Sequence, residues 1–229
     1  MTIVNRATAE STLGQTGWLA QQPDTFRAEI LRRSMLLHFA PGEVVYRFGD
    51  ALGGIYGLVS GTITVDTAPP NATPRLFHLA IPGFWTGEGC FLTRQPRRIE
   101  LRAVVETTMM HLPLEAMDQM AAREPEMTRA IAQLLMINVD ILLRTIHDLQ
   151  KPNVARRIAS VLQRATWTGE HPIPLSQTEL GTMANASRKQ VNAALQRFAK
   201  EGWVTNTYRL ITIKDVAALR RFAAGDDGE

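Results

Sequence analysis

Two short stretches near the carboxyl end set a serine three residues ahead of a carboxyl or amide side chain: Ser176-Gln-Thr-Glu179 and Ser187-Arg-Lys-Gln190. In each, the hydroxyl takes an orphan backbone N–H while the later side chain reaches back to the serine's own N–H, so each stretch opens a helix. The helix opened by Ser187 begins with Arg188, Lys189, Gln190 and Asn192. Such long cationic and amide side chains reach base edges in a DNA major groove. Ser187 and the free amides at that helix start suit a phosphate, as do Gln177 and Gln190. Val191, Ala194, Leu195 and Phe198 fall within roughly 100° of one another at helical period and form a buried face. Lys189, Ala193, Gln196 and Lys200 take the opposite side.

Bond-making chemistry is harder to assemble. The five histidines, His38, His78, His111, His147 and His171, include no HxH pair, and no Walker loop, nucleophile elbow or HExxH occurs. An enzyme is therefore not expected, nor a bound metal. The one enzyme alternative is a metal-dependent cupin-like fold, which needs clustered histidines and a carboxylate. The single cysteine, Cys90, excludes an intrachain disulfide and a cluster held by four cysteines of one chain. Cys90 reads as an inert buried thiol or a redox thiol. His78, on a strand, reads as structural or as a haem ligand.

Positioning these residues requires three kinds of element. Residues 1–36 read as amphipathic helix with Phe26, Ile30, Met35 and Leu36 as its apolar positions and Asp24 as an N-cap. Over 37–113, short runs rich in β-branched residues are cut by Gly and Pro, as in a β-barrel or jelly roll. Gly61 reads as a tight turn and Pro69-Pro70-Asn71 as an exposed loop. Glu124-Pro125 then opens a pattern of roughly 25 residues, on the order of 38 Å of helix. Its stripe is Met127, Ile131, Leu134, Leu135, Asn138, Ile141, Leu142, Thr145 and Leu149. Such a helix is either the core of a monomer or the seam of a parallel dimer; two apolar faces to bury favour the seam. Pro152 ends it and marks a hinge.

Beyond the hinge come an apolar-striped helix over 153–165, a loop over 166–174, a helix over about 177–184 and another over about 188–201. Asn185 supplies the left-handed residue of their turn, making a helix-turn-helix. A hairpin around 206–209 reads as a wing, Asp215 caps a last helix, and the tail from 225 reads as frayed. A polar helical hairpin that binds nothing is the alternative. Charge favours DNA: residues 151–229 carry 12 Lys/Arg against 7 Asp/Glu, a net +5, whereas residues 1–150 carry 13 against 15.

The 229 residues, 45% hydrophobic and 21% charged, have the balance of a folded chain, which excludes disordered and collagenous classes. At roughly 150 residues per domain, one or two domains are expected. No run of 18 apolar residues occurs and the N-terminus lacks a signal pattern, so neither a membrane span nor secretion is expected, and the location expected is cytoplasmic.

From residue 39 to about 213 the chain resembles the cyclic-AMP receptor protein/fumarate–nitrate regulator (Crp/Fnr) superfamily. The resemblance rests on Phe39-x-x-Gly42-Glu-Val-Val, Gly49-Asp50, Ile55 through Gly61 to Val65, and Gly83-Phe-Trp-Thr-Gly87-Glu88. It extends to Gln177-Thr-Glu-Leu-Gly181 and Ala186-Ser-Arg188. It implies an α+β chain with an N-terminal cyclic-nucleotide-binding-like β jelly roll, a long dimerisation helix and a C-terminal winged helix-turn-helix. The domains expected are 1–123, 124–151 and 152–229. The function implied is a homodimeric, sequence-specific transcription regulator that binds an inverted repeat in double-stranded DNA, with RNA polymerase as a further partner. The implied specificity positions are Arg188, Lys189 and Ala193. Many relatives carry Glu and Arg at the last two, so this chain's preferred half-site should differ from theirs.

The effector site implied by the resemblance comprises Gly87, Glu88, Arg97, Arg98, Leu142 and Leu143. In cyclic-AMP-binding relatives Glu holds the ribose hydroxyl, Arg neutralises the phosphate and a hydroxyl residue follows it. Here no hydroxyl follows Arg97-Arg98, and the pair that would read adenine aligns with Leu142-Leu143, which cannot hydrogen-bond a purine. Two contacts worth roughly 0.5–1.5 kcal/mol each are missing. The expected effector is therefore one other than cyclic AMP, or none, with a cyclic-AMP-responsive regulator as the alternative. Neither a cyclic nucleotide nor haem is favoured as a bound group, and an iron–sulfur switch lacks its cysteines. Glu88 is alternatively a buried partner of Arg97 or Arg98.

Overall fold

The computed structural model describes residues 4–67, 75–165, 172–207 and 209–225. Contacts divide the chain into two compact units, Met1–Pro74 with Leu79–Ile141, and Arg75–His78 with Leu142–Glu229.

The first unit begins with helices α1 (Arg6–Gln15), α2 (Gly17–Ala20) and α3 (Asp24–Arg33). Asn5 caps α1 through Thr8 N, at 2.9 Å. Asp24 is not a cap: Pro23 holds that position, and the Asp24 carboxylate pairs with Arg27 one turn on. Met35 and Leu36 are not helical either, but open strand β1 (Met35–Phe39). The local apolar spacing misled there because cross-strand pairing, absent from the local sequence, takes these residues.

The strands that follow are β2 (Val44–Tyr46), β3 (Ile55–Ser60), β4 (Ile63–Thr67), β5 (Arg75–Ala80), β6 (Trp85–Thr86), β7 (Ile99–Ala103) and β8 (Thr107–Leu112). They form two four-stranded sheets, ordered β1-β8-β3-β6 and β2-β7-β4-β5. Ile55 lies opposite Leu112 and Gly57 opposite Met110, so β3 and β8 form the centre of the first sheet. Helices α4 (Glu88–Thr93) and α5 (Leu114–Arg123) interrupt and follow the strands; neither was expected from the sequence. The core joins Leu13, Trp18 and Ile30 to Ile55, Trp85 and Met110, and on to Met117 and Ile131. Trp18 Nε1 donates to Ala130 O at 2.9 Å, and its ring packs edge-on against Trp85 at 5.6 Å. The first residue of α2 must be glycine: a Cβ on Gly17, at φ +69°, would lie 1.8 Å from Gly83 O.

Helix α6 (Glu126–Leu149) is 24 residues long. The wide apolar stripe divides by burial into two. Met127, Ile131, Leu134 and Thr145 are buried, with Asn138 and Ile141 half-buried beside them. About 100° around the helix run Ala132, Leu135, Val139, Leu142, Ile146 and Leu149, spaced alternately three and four apart. Leu142, Ile146 and Leu149 of this second stripe are 42%, 54% and 40% exposed. By length and composition α6 could cross a bilayer, its most apolar window having mean hydropathy 1.3. Asp140 and Arg144 stand against that, each costing roughly 2.5–3.5 kcal/mol near the centre of a span.

In the second unit, helices α7 (Val154–Arg164), α8 (Gln177–Ala184), α9 (Arg188–Lys200) and α10 (Val216–Ala224) surround a sheet ordered β10-β11-β9. Its strands are β9 (Pro172–Ile173), β10 (Val204–Thr207) and β11 (Leu210–Ile213). Asn153 caps α7 and Asp215 caps α10. Ile158, Leu162, Leu180, Leu195, Phe198, Ile211 and Phe222 are among its fully or nearly fully buried side chains. Pro172 and Ile173, expected within the loop over 166–174, instead form β9; residues 166–171 of that loop, the expected loop at 69–71, the tail from 226 and Tyr208 in the wing lie outside the described residues.

Candidate nucleic-acid interface

Both capping boxes form. Ser176 Oγ accepts from Glu179 N at 3.2 Å while Glu179 Oε2 accepts from Ser176 N at 2.7 Å. Ser187 Oγ accepts from Gln190 N at 3.3 Å and Gln190 Oε1 accepts from Ser187 N at 2.9 Å. Asn185 ends α8 in the left-handed conformation, φ 47° and ψ 55°. The turn is tight because Ala186 N donates back to Gly181 O at 2.9 Å, and a Cβ on Gly181 would lie 2.7 Å from Ala186 O.

This geometry splits α9 cleanly. Val191, Ala194, Leu195 and Phe198 are buried against the unit's core. Arg188, Lys189, Gln190, Asn192, Ala193, Gln196 and Lys200 are exposed. Packing the apolar face therefore turns every base-reading candidate outward. Ser187 is exposed and Gln177 half-buried at the start of α8. The capping bonds use the Ser187 oxygen as an acceptor and leave its O–H and the Gln190 NH₂ as donors for phosphate. Arg209, exposed at φ 55° beside the wing strands, adds a cation that the motif reading passed over. Its signal was present: a basic residue inside a hairpin loop.

The candidate effector residues are only partly brought together. Arg97, 5% exposed, donates from Nη2 to Gly54 O at 2.9 Å and from Nη1 to Gly87 O at 3.3 Å. Its guanidinium lies 4.2 Å from the Tyr46 ring centre and 5.6 Å from that of Tyr56, which stacks on His111 at 4.3 Å. Gly87, at φ +104°, lies so close that a Cβ there would sit 2.7 Å from Arg97 Nη1. Arg98, by contrast, is exposed, and Leu142 and Leu143 stand on the exposed face of α6. His78 is half-buried on β5, and Cys90 is buried in α4. Among the described residues no three of His, Cys, Asp and Glu gather to hold a metal ion. An open groove lined by Trp18, Gln22, Gln133 and Met136 contains none of the candidate effector residues.

Glu88 is 6% exposed and pairs with neither arginine by an ion pair. Its Oε1 accepts from Asn138 Nδ2 at 3.0 Å, a group that also donates to Trp85 O at 3.2 Å, while Oε2 has no partner. Burial pushes the carboxyl above its ordinary range, outweighing the Asn138 bond and the Arg97 charge, which pull it down. A folded state that holds this proton more tightly loses stability as pH rises from the ordinary carboxylate range toward the raised value. Glu88→Gln keeps an acceptor for Asn138 and removes the charge. It should raise stability at neutral pH by about 1–3 kcal/mol, the gain shrinking in acid. An unchanged melting temperature at neutral pH would refute this. His111 has the opposite sign: burial and Arg97 hold it down to about 4, so its contribution is lost as pH falls from 6.5 toward that value.

The sequence matches the cyclic nucleotide-binding domain model over residues 36–124 and the Crp-like helix-turn-helix model over 154–222. A CRP-like cAMP-activated global transcriptional regulator of Mycobacterium tuberculosis is 24% identical over 204 residues, 86% of this chain and 91% of that protein. The fumarate and nitrate reduction regulatory protein of Escherichia coli K12 is 24% identical over 196 residues, covering 80% and 76%. In fold, the chain is similar to FixK2 of Bradyrhizobium japonicum, with a TM-score of 0.70 at 15% identity over 82% of this chain and 96% of that one. With an N-terminal β domain, a long helix and a helix-turn-helix that presents its polar face, the chain belongs to the Crp/Fnr superfamily of DNA-binding transcription regulators.

Proposed function

We propose that the chain acts as a homodimer, in the cytoplasm and without catalytic activity, and binds an inverted repeat through two copies of α9. The observation that carries this is the outward polar face of α9, backed by a buried apolar face and preceded by a complete capping box. Arg188, Lys189 and Asn192 read bases; Gln177, Ser187 and Gln190 hold phosphates, with Arg209 reaching the backbone from the wing. Ala193 offers a methyl rather than a hydrogen bond. The second stripe of α6 supports dimerisation, because its three-four alternation is that of a coiled-coil seam. The functional division follows 1–123, 124–151 and 152–229, and RNA polymerase is a further partner.

The effector, if the β domain takes one, is not cyclic AMP. The candidate residues do not fit that ligand: two backbone carbonyls and an aromatic face already engage the buried Arg97 guanidinium, and Leu142 and Leu143, exposed on α6, carry no polar atom for a purine. Haem is not favoured either. Selection from a randomised duplex library tests the main reading. It should enrich two inverted half-sites centred about 34–36 Å apart, and titration with cyclic AMP should leave the affinity for that duplex unchanged. Enrichment of a single half-site would refute the dimeric mode, and tightened binding with cyclic AMP would restore the alternative.

A further inference from the structure

One side chain in the second unit serves two backbone segments that have no sequence proximity. Arg157, in the first turns of α7, is half-buried. Its Nη1 donates to Lys151 O at 2.8 Å and Pro152 O at 3.4 Å, in the linker between α6 and α7. Its Nε donates to Ala184 O at 2.9 Å and its Nη2 to Asn185 O at 3.0 Å. Those last two carbonyls close α8 and are among the acceptors that a helix end leaves unpaired. The negative end of the α8 dipole faces a cation there. A guanidinium is suited to both tasks at once, because its donors diverge in one rigid plane; an ammonium is a point charge.

Each side of this bridge is tied further along. On the linker side, Lys151 Nζ donates to Asp148 Oδ1 at 2.7 Å and Ser160 Oγ at 2.8 Å, and Asp148 also pairs with Arg164. The linker carbonyls are thereby fixed relative to the last turn of α6. On the other side, Asn185 is the left-handed residue of the turn, two positions before the Ser187 cap and three before Arg188. A shift of the Asn185 carbonyl is a shift of the start of α9.

We propose that Arg157 is a positioning residue that couples the α6–α7 linker to the recognition helix. One guanidinium satisfies both carbonyl sets only while the linker holds its present course. A rearranged linker withdraws donors from the α8–α9 turn and loosens the start of α9; conversely, DNA that orders the start of α9 orders the linker. The proposal rests on the reading of α9 as the DNA-contacting helix.

Hydrogen exchange, with and without the duplex that the wild-type protein enriches from a randomised library, tests it. In the wild type, duplex should slow exchange at Gln150 and Lys151 in the linker as well as at the start of α9. In Arg157→Met, which keeps an apolar stem, affinity should fall about tenfold, and the duplex should protect α9 while the linker amides keep their free rates. Should Arg157→Met not fold, Arg157→Lys carries the same test, since its single ammonium cannot span both carbonyl sets. Duplex-dependent linker protection that persists in either folded variant overturns the coupling, as does normal duplex binding by the wild type with no linker protection. If the wild type enriches no duplex at all, the DNA-binding reading fails and the coupling falls with it.

Discussion

Leu142→Asp combined with Ile146→Asp is expected to leave the protein monomeric in sedimentation velocity. Both side chains stand on the open stripe of α6, 42% and 54% exposed, so the pair should leave thermal unfolding of the isolated chain nearly unchanged. Across a two-fold seam the double variant removes four buried aliphatic side chains. At roughly 1.5 kcal/mol or more for each, about 6 kcal/mol of association is lost, near four powers of ten in the dimer constant. Four carboxylates facing one another would add repulsion. Ile141 provides a contrast. It is half-buried on the neighbouring face, so Ile141→Asp should lower the melting temperature rather than split the dimer. A double variant that still sediments as a dimer would place the interface elsewhere. One that unfolds would show the open stripe to be part of the subunit's own core.

Removal of a single guanidinium gives the second large effect. Arg188→Ala should weaken binding to the selected duplex by about 1–3 kcal/mol and relax preference at one base pair of each half-site. Arg188 is exposed at the first position of α9, and its truncation removes no packing. Competition binding against singly substituted duplexes reads the result. Base readout predicts that the loss concentrates at one position. A uniform loss across all sequences, with the salt dependence reduced by about one counterion, would make Arg188 a phosphate contact instead. An unchanged footprint and affinity would remove it from the interface.

Much of the second unit was legible from the chain because its signals are local. A capping box spans four residues, a left-handed turn residue is one side chain, and the apolar face of α9 repeats within three turns. Each is specified by atoms close together along the backbone, so Ser176, Asn185, Ser187 and Asp215 occupy the roles that their types suggest. The strands were legible as runs, but not their company. Met35 and Leu36 fit a helical spacing and yet pair with His111 and Met110, more than 70 residues away. Helix α4 was missed because it is only six residues long, and α5 because no side-chain cap marks its start, whereas the shorter α8 and α10 are both capped.

The sequence by itself determined the succession of a β region, a long helix and a helix-turn-helix, the start and stop of the recognition helix and the polar character of its outer face, since propensity, capping and periodicity act over one or two turns. Only the tertiary structure decided which apolar stripe of α6 is covered and which is open. It alone brought Arg97 against Tyr46, gave Glu88 to Asn138 rather than to an arginine, and set Arg157 between two sets of carbonyls. Those outcomes turn on where a buried charge finds acceptors and on which neighbour excludes water. Both depend on chain segments that approach one another only after folding.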